Sequence, residues 1–216
     1  MKALIVYGGW DGHTPKPVSE IVEKELKAAG FQVERHDTLD ALNDAAKVAS
    51  MDVVIPIWTM GQMSGEQWGS LNAAVRAGTG VAGLHGGAGD AFRGNLEYQW
   101  MIGGQFVGHP HVGKYEVFLT DTQHPITVGA PTVFEYESEQ YYMIVDPGIN
   151  VLANTIYNYD GHKIVHPVMW TKSWGKGRVF YTALGHCDAE FGKFPQVHAM
   201  TIKGLIWAAQ GKALAK

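Results

Sequence analysis

The stretch Val81-Ala82-Gly83-Leu84-His85-Gly86-Gly87 decides the fold that we predict for this chain. Its first four residues are small or apolar, which is typical of a strand buried on both faces of a parallel sheet. His85 follows Leu84 directly, and the glycines around it allow a sharp change of backbone direction. The stretch therefore predicts a strand-to-helix turn that presents His85 at the carboxyl edge of the sheet.

The segments before this turn alternate between strand and helix patterns. Continuous or alternating apolar runs predict strands, and apolar residues at helical spacing predict helices that end at glycines. The predicted strands are Ala3–Tyr7, Phe31–Arg35 and Asp52–Trp58, and the predicted helices are Pro17–Ala29 and about Ser64–Ala77. This order predicts an α/β fold with a doubly wound, mostly parallel sheet and right-handed crossovers.

The segments after the turn lose this alternation. Between Gly103 and Asp160 helical periodicity fades, and short alternating runs predict an inserted mixed or antiparallel extension of the sheet. The runs in question are Lys114–Leu119 and Val151–Thr155, with final strands at Val168–Trp170 and Arg178–Leu184 and a last helix at about Pro195–Ala209. We expect one domain over residues 1–216.

The composition excludes several classes of function. The 216 residues carry a formal net charge of -4 without a basic run, which argues against binding to nucleic acid or an anionic membrane. No apolar segment reaches the ~18 residues of a membrane span, and the first apolar run is too short for a signal peptide. The single cysteine, Cys187, excludes an internal disulfide and a thiolate-rich zinc site. We therefore expect a cytoplasmic protein with a small-molecule substrate, and a homo-oligomer is compatible with this composition.

Three histidines lie in the segments that follow predicted strands, one of them in the loop after the first strand and two directly after later strands. They are His13, His85 and His186, and the carboxyl ends of parallel strands meet at one edge of a sheet. Imidazole is the commonest protein ligand for zinc and other late divalent metals, and a catalytic site needs about three protein ligands. The placement predicts a divalent metal, zinc among the candidates. A metal-free acid/base cluster and ordinary hydrogen-bonded loop histidines are the alternatives.

Other residues near the same edge are candidates for supporting roles. Asp188 follows His186 by two residues, and Glu137 and Glu139 lie in a polar, aromatic stretch. His109 and His111 flank Pro110 in the inserted region, where the proline fixes a turn from which one of the two could reach the cleft. A further alternative is phosphate binding by the loop 8–14, although this loop matches neither the dinucleotide nor the Walker pattern.

Several motifs in a fixed order resemble those of the ThuA-like, trehalose-utilisation proteins, which belong to the class I glutamine amidotransferase-like superfamily. The resemblance covers nearly the whole chain and is carried by Gly12-His13, Gly83-Leu84-His85-Gly86, Gly103-Gly104-Gln105-Phe106, Gly108-His109-Pro110, His124-Pro125-Ile126, Glu139-Gln140-Tyr141, His166-Pro167-Val168-Met169-Trp170 and the run from Gly175 to His186.

The resemblance implies a flavodoxin-like sheet in which His85 occupies the place of the amidotransferase cysteine. His186 and Asp188 would then correspond to the histidine and the glutamate of that superfamily's triad. Glutamine amidotransfer is accordingly not expected. Members of the family are associated with disaccharides and keto-glycosides, so the expected activity is that of a metal-assisted hydrolase or lyase, with His85, Glu139, His186 and Asp188 as catalytic residues.

Aromatic side chains are expected to bind the sugar. Trp10 and Tyr141, together with His109, are the predicted substrate-binding residues, since aromatic rings stack on the apolar faces of sugars. Trp58 and Tyr142 could take the same role, whereas in many proteins such residues simply fill the core. The alternative function is a non-catalytic sugar-binding or regulatory protein that kept the amidotransferase fold without its nucleophile.

Overall fold

The computed structural model describes residues 1–215, which form nine strands, seven α-helices and two short 3-10 helices. The strands are β1 (Lys2–Gly9), β2 (Gln32–His36), β3 (Val53–Thr59), β4 (Gly80–Leu84), β5 (Gly104–Leu119), β6 (Val133–Val145), β7 (Asn150–Tyr159), β8 (His162–Trp174) and β9 (Gly177–Thr182). The helices are α1 (Pro15–Ala28), α2 (Ala45–Ser50), α3 (Gly65–Ala77), α4 (His85–Gly89), α5 (Leu96–Ile102), α6 (Asp188–Lys193) and α7 (Pro195–Leu214), and the 3-10 helices are Asp11–His13 and Leu39–Leu42.

All nine strands belong to one sheet with the order β2-β1-β3-β4-β9-β8-β7-β5-β6. Strands β2, β1, β3, β4 and β9 are mutually parallel, and every pairing from β9 onward to β6 is antiparallel. The α/β architecture with a parallel half is therefore confirmed. Strands β5, β6 and β7 form the extension expected between Gly103 and Asp160, and β8, which contains the predicted strand Val168–Trp170, joins them to β9.

Helices cover the parallel half in two groups. Helices α1, α6 and α7 contact one another, and α2 contacts α3, which is the arrangement that right-handed crossovers place on opposite faces of a sheet. Helix α1 turns Val18, Val22 and Leu26 toward the core. A Ser64–Gln67 capping box begins α3, so its amino end is fixed by sequence.

The antiparallel half is longer than the sequence patterns indicate. The predicted runs Lys114–Leu119 and Val151–Thr155 are the ends of strands of 16 and 10 residues. Strand β6 was not predicted, because its polar residues face solvent on one side while Phe134 and Tyr136 are buried on the other. Irregular pairing near Gly108 interrupts β5 and hides its period of two.

Other boundaries shift by a few residues. The last helix continues beyond Ala209 to Leu214, and helix α6 fills part of the segment between β9 and α7 where no element was predicted. Within residues 1–215, no helix combines the length and the apolar character that crossing a membrane requires.

Candidate functional site

Three histidines that follow different strands lie close together at the carboxyl edge of the parallel half. His13 ends the 3-10 helix after β1, His85 begins α4 directly after β4, and His186 lies in the segment between β9 and α6. The ring centroids are 4.8 Å apart for His13 and His85, 5.0 Å for His13 and His186, and 5.2 Å for His85 and His186. The structure thus brings together the three residues that were predicted as metal ligands.

The turn at His85 requires an unusual backbone. His85 has a φ of 44°, in the left-handed region that costs a residue other than glycine about 1 kcal/mol or more. The absence of a side chain at Gly86 is equally necessary, because a Cβ there would lie 2.2 Å from Cε1 of His13. This turn therefore lets the imidazoles of His13 and His85 approach each other.

Glu139 on strand β6 joins the three histidines. Its Oε2 lies 3.2 Å from Nε2 of His85, and its Oε1 lies 3.6 Å from Nε2 of His186. Glu137 is half exposed and pairs with Lys193 at 2.7 Å instead. The antiparallel extension therefore supplies one carboxylate to a cluster that otherwise comes from the parallel half.

Outer hydrogen bonds orient two of the imidazoles. Nδ1 of His85 is 2.7 Å from the carbonyl oxygen of Ala183, which can only accept, so Nδ1 carries the proton. In neutral His85, the lone pair of Nε2 then faces Oε2 of Glu139, and the two electron-rich atoms repel each other. A proton or a cation between Nε2 and Oε2 removes this repulsion. Nδ1 of His13 is likewise held by Oγ1 of Thr59 at 2.7 Å. Such outer partners are typical of metal-binding histidines.

Burial and the charges of neighbouring imidazoles lower the pKa of two histidines of the cluster. Burial, with the charges of His85 and His186, lowers the pKa of His13 to about 3. Burial and the charge of His85 also lower the pKa of His186. At Glu139 burial opposes ionisation, but the hydrogen bond with His85 and the attraction to His85, His186 and His109 in their protonated forms outweigh it and lower the pKa of the carboxyl group. A deprotonated carboxylate next to neutral imidazoles is the protonation state that metal binding needs.

The donor set fits a divalent metal ion. His13, His85, Glu139 and His186 each offer one ligand atom, and these atoms all lie within 4.8 Å of one another. Imidazole nitrogen and carboxylate oxygen together suit zinc and other first-row divalent ions.

Aromatic and polar side chains surround the cluster. The ring of Tyr141 lies over His85 at a centroid distance of 3.9 Å, and the half-exposed Trp10 meets His13 edge-on at 4.7 Å. His109 lies 3.5 Å from Oε1 of Glu139 with 42% of its side chain exposed. Tyr142 points to the other face of β6, where it stacks on His166 at 5.1 Å. The structure thus places Trp10, His109 and Tyr141 at the site and Tyr142 away from it.

Asp188 occupies a different place from the one expected for a triad acid. It begins α6, where its backbone N–H donates to Oγ1 of Thr14 at 3.1 Å, and within residues 1–215 its carboxylate has no hydrogen bond to His186. The carboxylate that supports the His186 turn is Glu190, whose Oε2 accepts the backbone N–H of His186 at 2.9 Å. Tyr136 donates its hydroxyl to the same oxygen and accepts the N–H of Gly185.

Sequence reasoning missed Thr59, Tyr136 and Glu190 as supporting residues. Glu190 is four residues after His186, a spacing that could have been noted. Tyr136 is 54 residues from Glu190, so only the folded β6 brings the two together. Thr59 ends β3, and its position at the carboxyl edge is the one signal that could have pointed to it.

Comparison with known proteins agrees with this architecture. A ThuA-like protein from Bacteroides uniformis superposes with a TM-score of 0.78 at 19% identity, over 96% of this chain and 91% of that one. A ThuA-like protein from Parabacteroides merdae gives a TM-score of 0.76 at 20% identity, over 98% and 91%. A β-galactosidase from Bacillus circulans matches at 14% identity with a TM-score of 0.58, over 99% of this chain but 31% of its own. At these identities the likeness shows a shared fold alone.

The family assignment of this chain rests on a sequence match. No curated protein matches the chain. A family model, ThuA, described as trehalose utilisation, matches residues 2–208 and confirms the resemblance carried by the motifs. That description implies a carbohydrate-related role. Because the match spans nearly all of the 216 residues, the chain belongs to the ThuA (trehalose utilisation) family.

Proposed function

We propose that this protein is a metal-assisted hydrolase or lyase that acts on a keto-glycoside or a related disaccharide. The observation that carries the proposal is the convergence of His13, His85, His186 and Glu139 on one point. The buried Nε2 of His85 and the Glu139 carboxylate face each other at 3.2 Å, a pair that is stable only with a positive charge between them. A bound cation supplies that charge while leaving His85 neutral.

The four side chains would hold the ion, with Thr59 and the Ala183 carbonyl orienting two of the imidazoles. A divalent ion in such a site supplies Lewis acidity, which polarises a ketone or lowers the pKa of a water molecule. The burial of His13 and His85 restricts competing water.

Proton transfer is assigned to Glu139, whose Oε2 faces His85 and would hold the ion while Oε1 stays free. Oε1 of Glu139 faces both His186 and His109, so a proton taken from water or from the carbon next to a ketone has a short route outward. His109 is the member of this group nearest to solvent, with 42% of its side chain exposed. It would exchange the proton with bulk water.

Trp10 would hold the sugar, and Tyr141 would hold the ring of His85. Tyr141 covers His85 and is itself only 1% exposed, whereas Trp10 stands beside His13 with 48% of its surface exposed. An exposed indole at the rim of a buried polar cluster suits the apolar face of a sugar ring. The reacting carbon would therefore lie between this indole and the histidine cluster.

This chain lacks the nucleophilic cysteine that a glutamine amidotransferase would carry, and the proposed activity does not need one. The strand order β2-β1-β3-β4-β9 supports a flavodoxin-like parallel half, in which the turn after β4 would carry the nucleophile. This chain has His85 at that turn, and burial raises the pKa of its single thiol, Cys187. We therefore propose sugar chemistry in the cytoplasm rather than glutamine hydrolysis.

Turnover of 3-keto-trehalose, measured as released glucose, tests the proposal. Protein loaded with zinc or manganese should release glucose, and protein stripped with a chelator should lose at least about 100-fold in rate. The Glu139→Gln variant should fall similarly. Glu137→Gln, two residues away on the same strand but paired with Lys193, is the matched control and should stay within about twofold of wild type. Full turnover by the stripped protein or by Glu139→Gln would contradict the proposal.

A further inference from the structure

A shallow basin lies beside the carboxyl-terminal half of helix α5, outside the histidine cluster. We call it the indole basin; it has a volume of about 250 Å³, and its lining includes Gln99, Trp100, Gln105, Ile144 and Asp146. Pockets for drug-sized ligands span about 300–1,000 Å³, so this basin fits a smaller ligand, such as one sugar ring. None of the five residues has a role in the proposed function.

The indole basin and the histidine cluster lie on opposite faces of the β5–β6 pair. Gln105 pairs directly with Ile144, which is 65% exposed, so the side chains of both residues lie on the outer face. Phe106, the next residue, faces inward, where its ring contacts that of Tyr141 at a centroid distance of 4.4 Å. A ligand in the basin is therefore separated from the cluster by the two strands.

Trp100 gives the indole basin a fixed aromatic surface. Its indole meets Trp174 edge-on at a centroid distance of 5.2 Å, and Nζ of Lys172 lies 5.7 Å from the centroid of the indole. The same ammonium group donates a hydrogen bond to the carbonyl oxygen of Trp100. These contacts hold the ring while 59% of the residue stays exposed. A ring held in this way loses little side-chain freedom when a ligand stacks on it.

Gln99 brings a buried amide without a protein partner to the indole basin. Only 9% of the residue is exposed, yet within residues 1–215 neither Oε1 nor Nε2 of its side chain forms a hydrogen bond. Neither atom is fully enclosed, and Gln99 lines the basin, so its amide is open to a ligand there. Side-chain amides buried this deeply are normally hydrogen-bonded. Gln99 therefore offers both a donor and an acceptor to a ligand in the basin.

The indole basin leaves no net charge for a ligand to neutralise. Asp146 is the charged residue of its lining, and the carboxylate forms a salt bridge with Lys172, whose side chain is 8% exposed. Burial opposes the ionisation of Asp146, but the hydrogen bond from Lys172 outweighs it and lowers the pKa of the carboxyl group. Because the two charges offset each other, a charged ligand would gain little from the basin.

The chemistry that remains matches one face and one edge of a neutral sugar ring. The indole of Trp100 and the side chain of Ile144 provide apolar surface for the C–H face of a pyranose. The amides of Gln99 and Gln105 and the carboxylate of Asp146 provide donors and acceptors for its hydroxyl groups. We propose that the indole basin binds a single ring of a neutral sugar, separately from the histidine cluster. This binding needs neither the metal nor the turnover of the proposed function.

NMR titration of isotope-labelled, metal-stripped protein with glucose, galactose, mannose and N-acetylglucosamine tests this site. The backbone N–H signals of Gln105 and Asp146 should shift saturably with at least one of these sugars, with a Kd of about 1–10 mM. Trp100→Ala should weaken this binding at least about tenfold. Gln99→Met, which keeps the length of the side chain but removes the amide, should weaken it about 3- to 10-fold.

The control variants remove exposed side chains elsewhere. Leu96→Ala changes another exposed residue of α5, and Trp10→Ala removes the exposed indole at the histidine cluster, so both should bind sugar at the basin as wild type does.

The proposal is overturned if none of the sugars shifts the two signals at concentrations up to about 100 mM, or if either Trp100→Ala or Gln99→Met binds as tightly as wild type. Loss of the shifts in Trp10→Ala would place the sugar at the histidine cluster and would overturn it as well. Shifts that depend on protein concentration without sugar would assign the basin to a second copy of this chain, with the same consequence. Sugar-dependent shifts at the basin without turnover by metal-loaded protein would refute the proposed function and retain this site.

Discussion

Gly86→Ala should disable the candidate site while leaving the fold intact. Gly86 is helical and its φ is not left-handed, so alanine suits its backbone. The new Cβ, however, would lie 2.2 Å from Cε1 and 2.4 Å from Nδ1 of His13, and 2.9 Å from the hydroxyl of Tyr141. Carbon atoms in contact are about 3.5 Å apart, so the ring of His13 must move by roughly 1 Å. That movement breaks the 2.7 Å hydrogen bond between His13 and Thr59.

The size of the effect follows from these contacts. Overpacking costs about 1–3 kcal/mol, partly offset by the ~1 kcal/mol helix preference of alanine over glycine. The net loss of about 0–2 kcal/mol should lower the Tm by at most several degrees. Zinc affinity should fall at least about tenfold, as for other disturbed metal-binding histidines.

Zinc titration and thermal unfolding of Gly86→Ala and Gly69→Ala together check this reasoning. Gly69 lies on the exposed face of helix α3, where a Cβ would meet no atom within 4 Å, so its variant should be slightly more stable and bind zinc normally. The reasoning would be refuted if Gly86→Ala bound zinc as tightly as wild type. It would also be refuted if Gly69→Ala lost zinc affinity to the same extent.

Two further predictions concern hydrogen bonds of buried side chains. Thr59→Val leaves Nδ1 of His13 without its hydrogen-bond partner and should weaken zinc binding about 10- to 100-fold. Thr79→Val removes a buried hydroxyl that donates to a backbone carbonyl elsewhere and should leave zinc affinity unchanged. Equal losses of zinc affinity in the two variants would refute the orienting role of Thr59. Burial lowers the pKa of His166, whose Nε2 accepts the N–H of Met143 at 3.0 Å, so the unfolded chain binds the proton more readily. The free energy of unfolding should therefore fall as pH drops below the ordinary histidine pKa of about 6.5. Urea unfolding of His166→Gln should show a smaller fall between about pH 7.5 and pH 5.5 than wild type does. A fall identical to that of wild type would contradict this role of His166.

The parallel half could be predicted because its signals are local. The apolar runs that form β1, β3 and β4 are continuous, and each ends at glycine or polar residues. The rule that carboxyl ends of parallel strands share an edge then places His13, His85 and His186 together without any knowledge of distances. That inference needs only the order of the elements.

The remaining parts of the site depend on contacts between distant segments. Glu139 reaches His85 because β6 is the edge strand of an antiparallel extension whose pairing is irregular near Gly108. Tyr136 supports the His186 turn through Glu190, across 54 residues. The sequence shows these side chains but not the β5–β6 geometry that turns Glu139 rather than Glu137 toward the histidines. It also does not show the contact with Tyr136, which is made by Glu190 rather than by Asp188.

The position of a bound metal ion tests the central claim most directly. Crystals of the protein grown with zinc and measured on both sides of the zinc absorption edge would locate the ion by its anomalous scattering. The account predicts one strong peak within about 2.0–2.2 Å of nitrogens of His13, His85 and His186 and of an oxygen of Glu139. No peak at this cluster, or a sole peak elsewhere, such as beside Cys187 and Glu190, would contradict it.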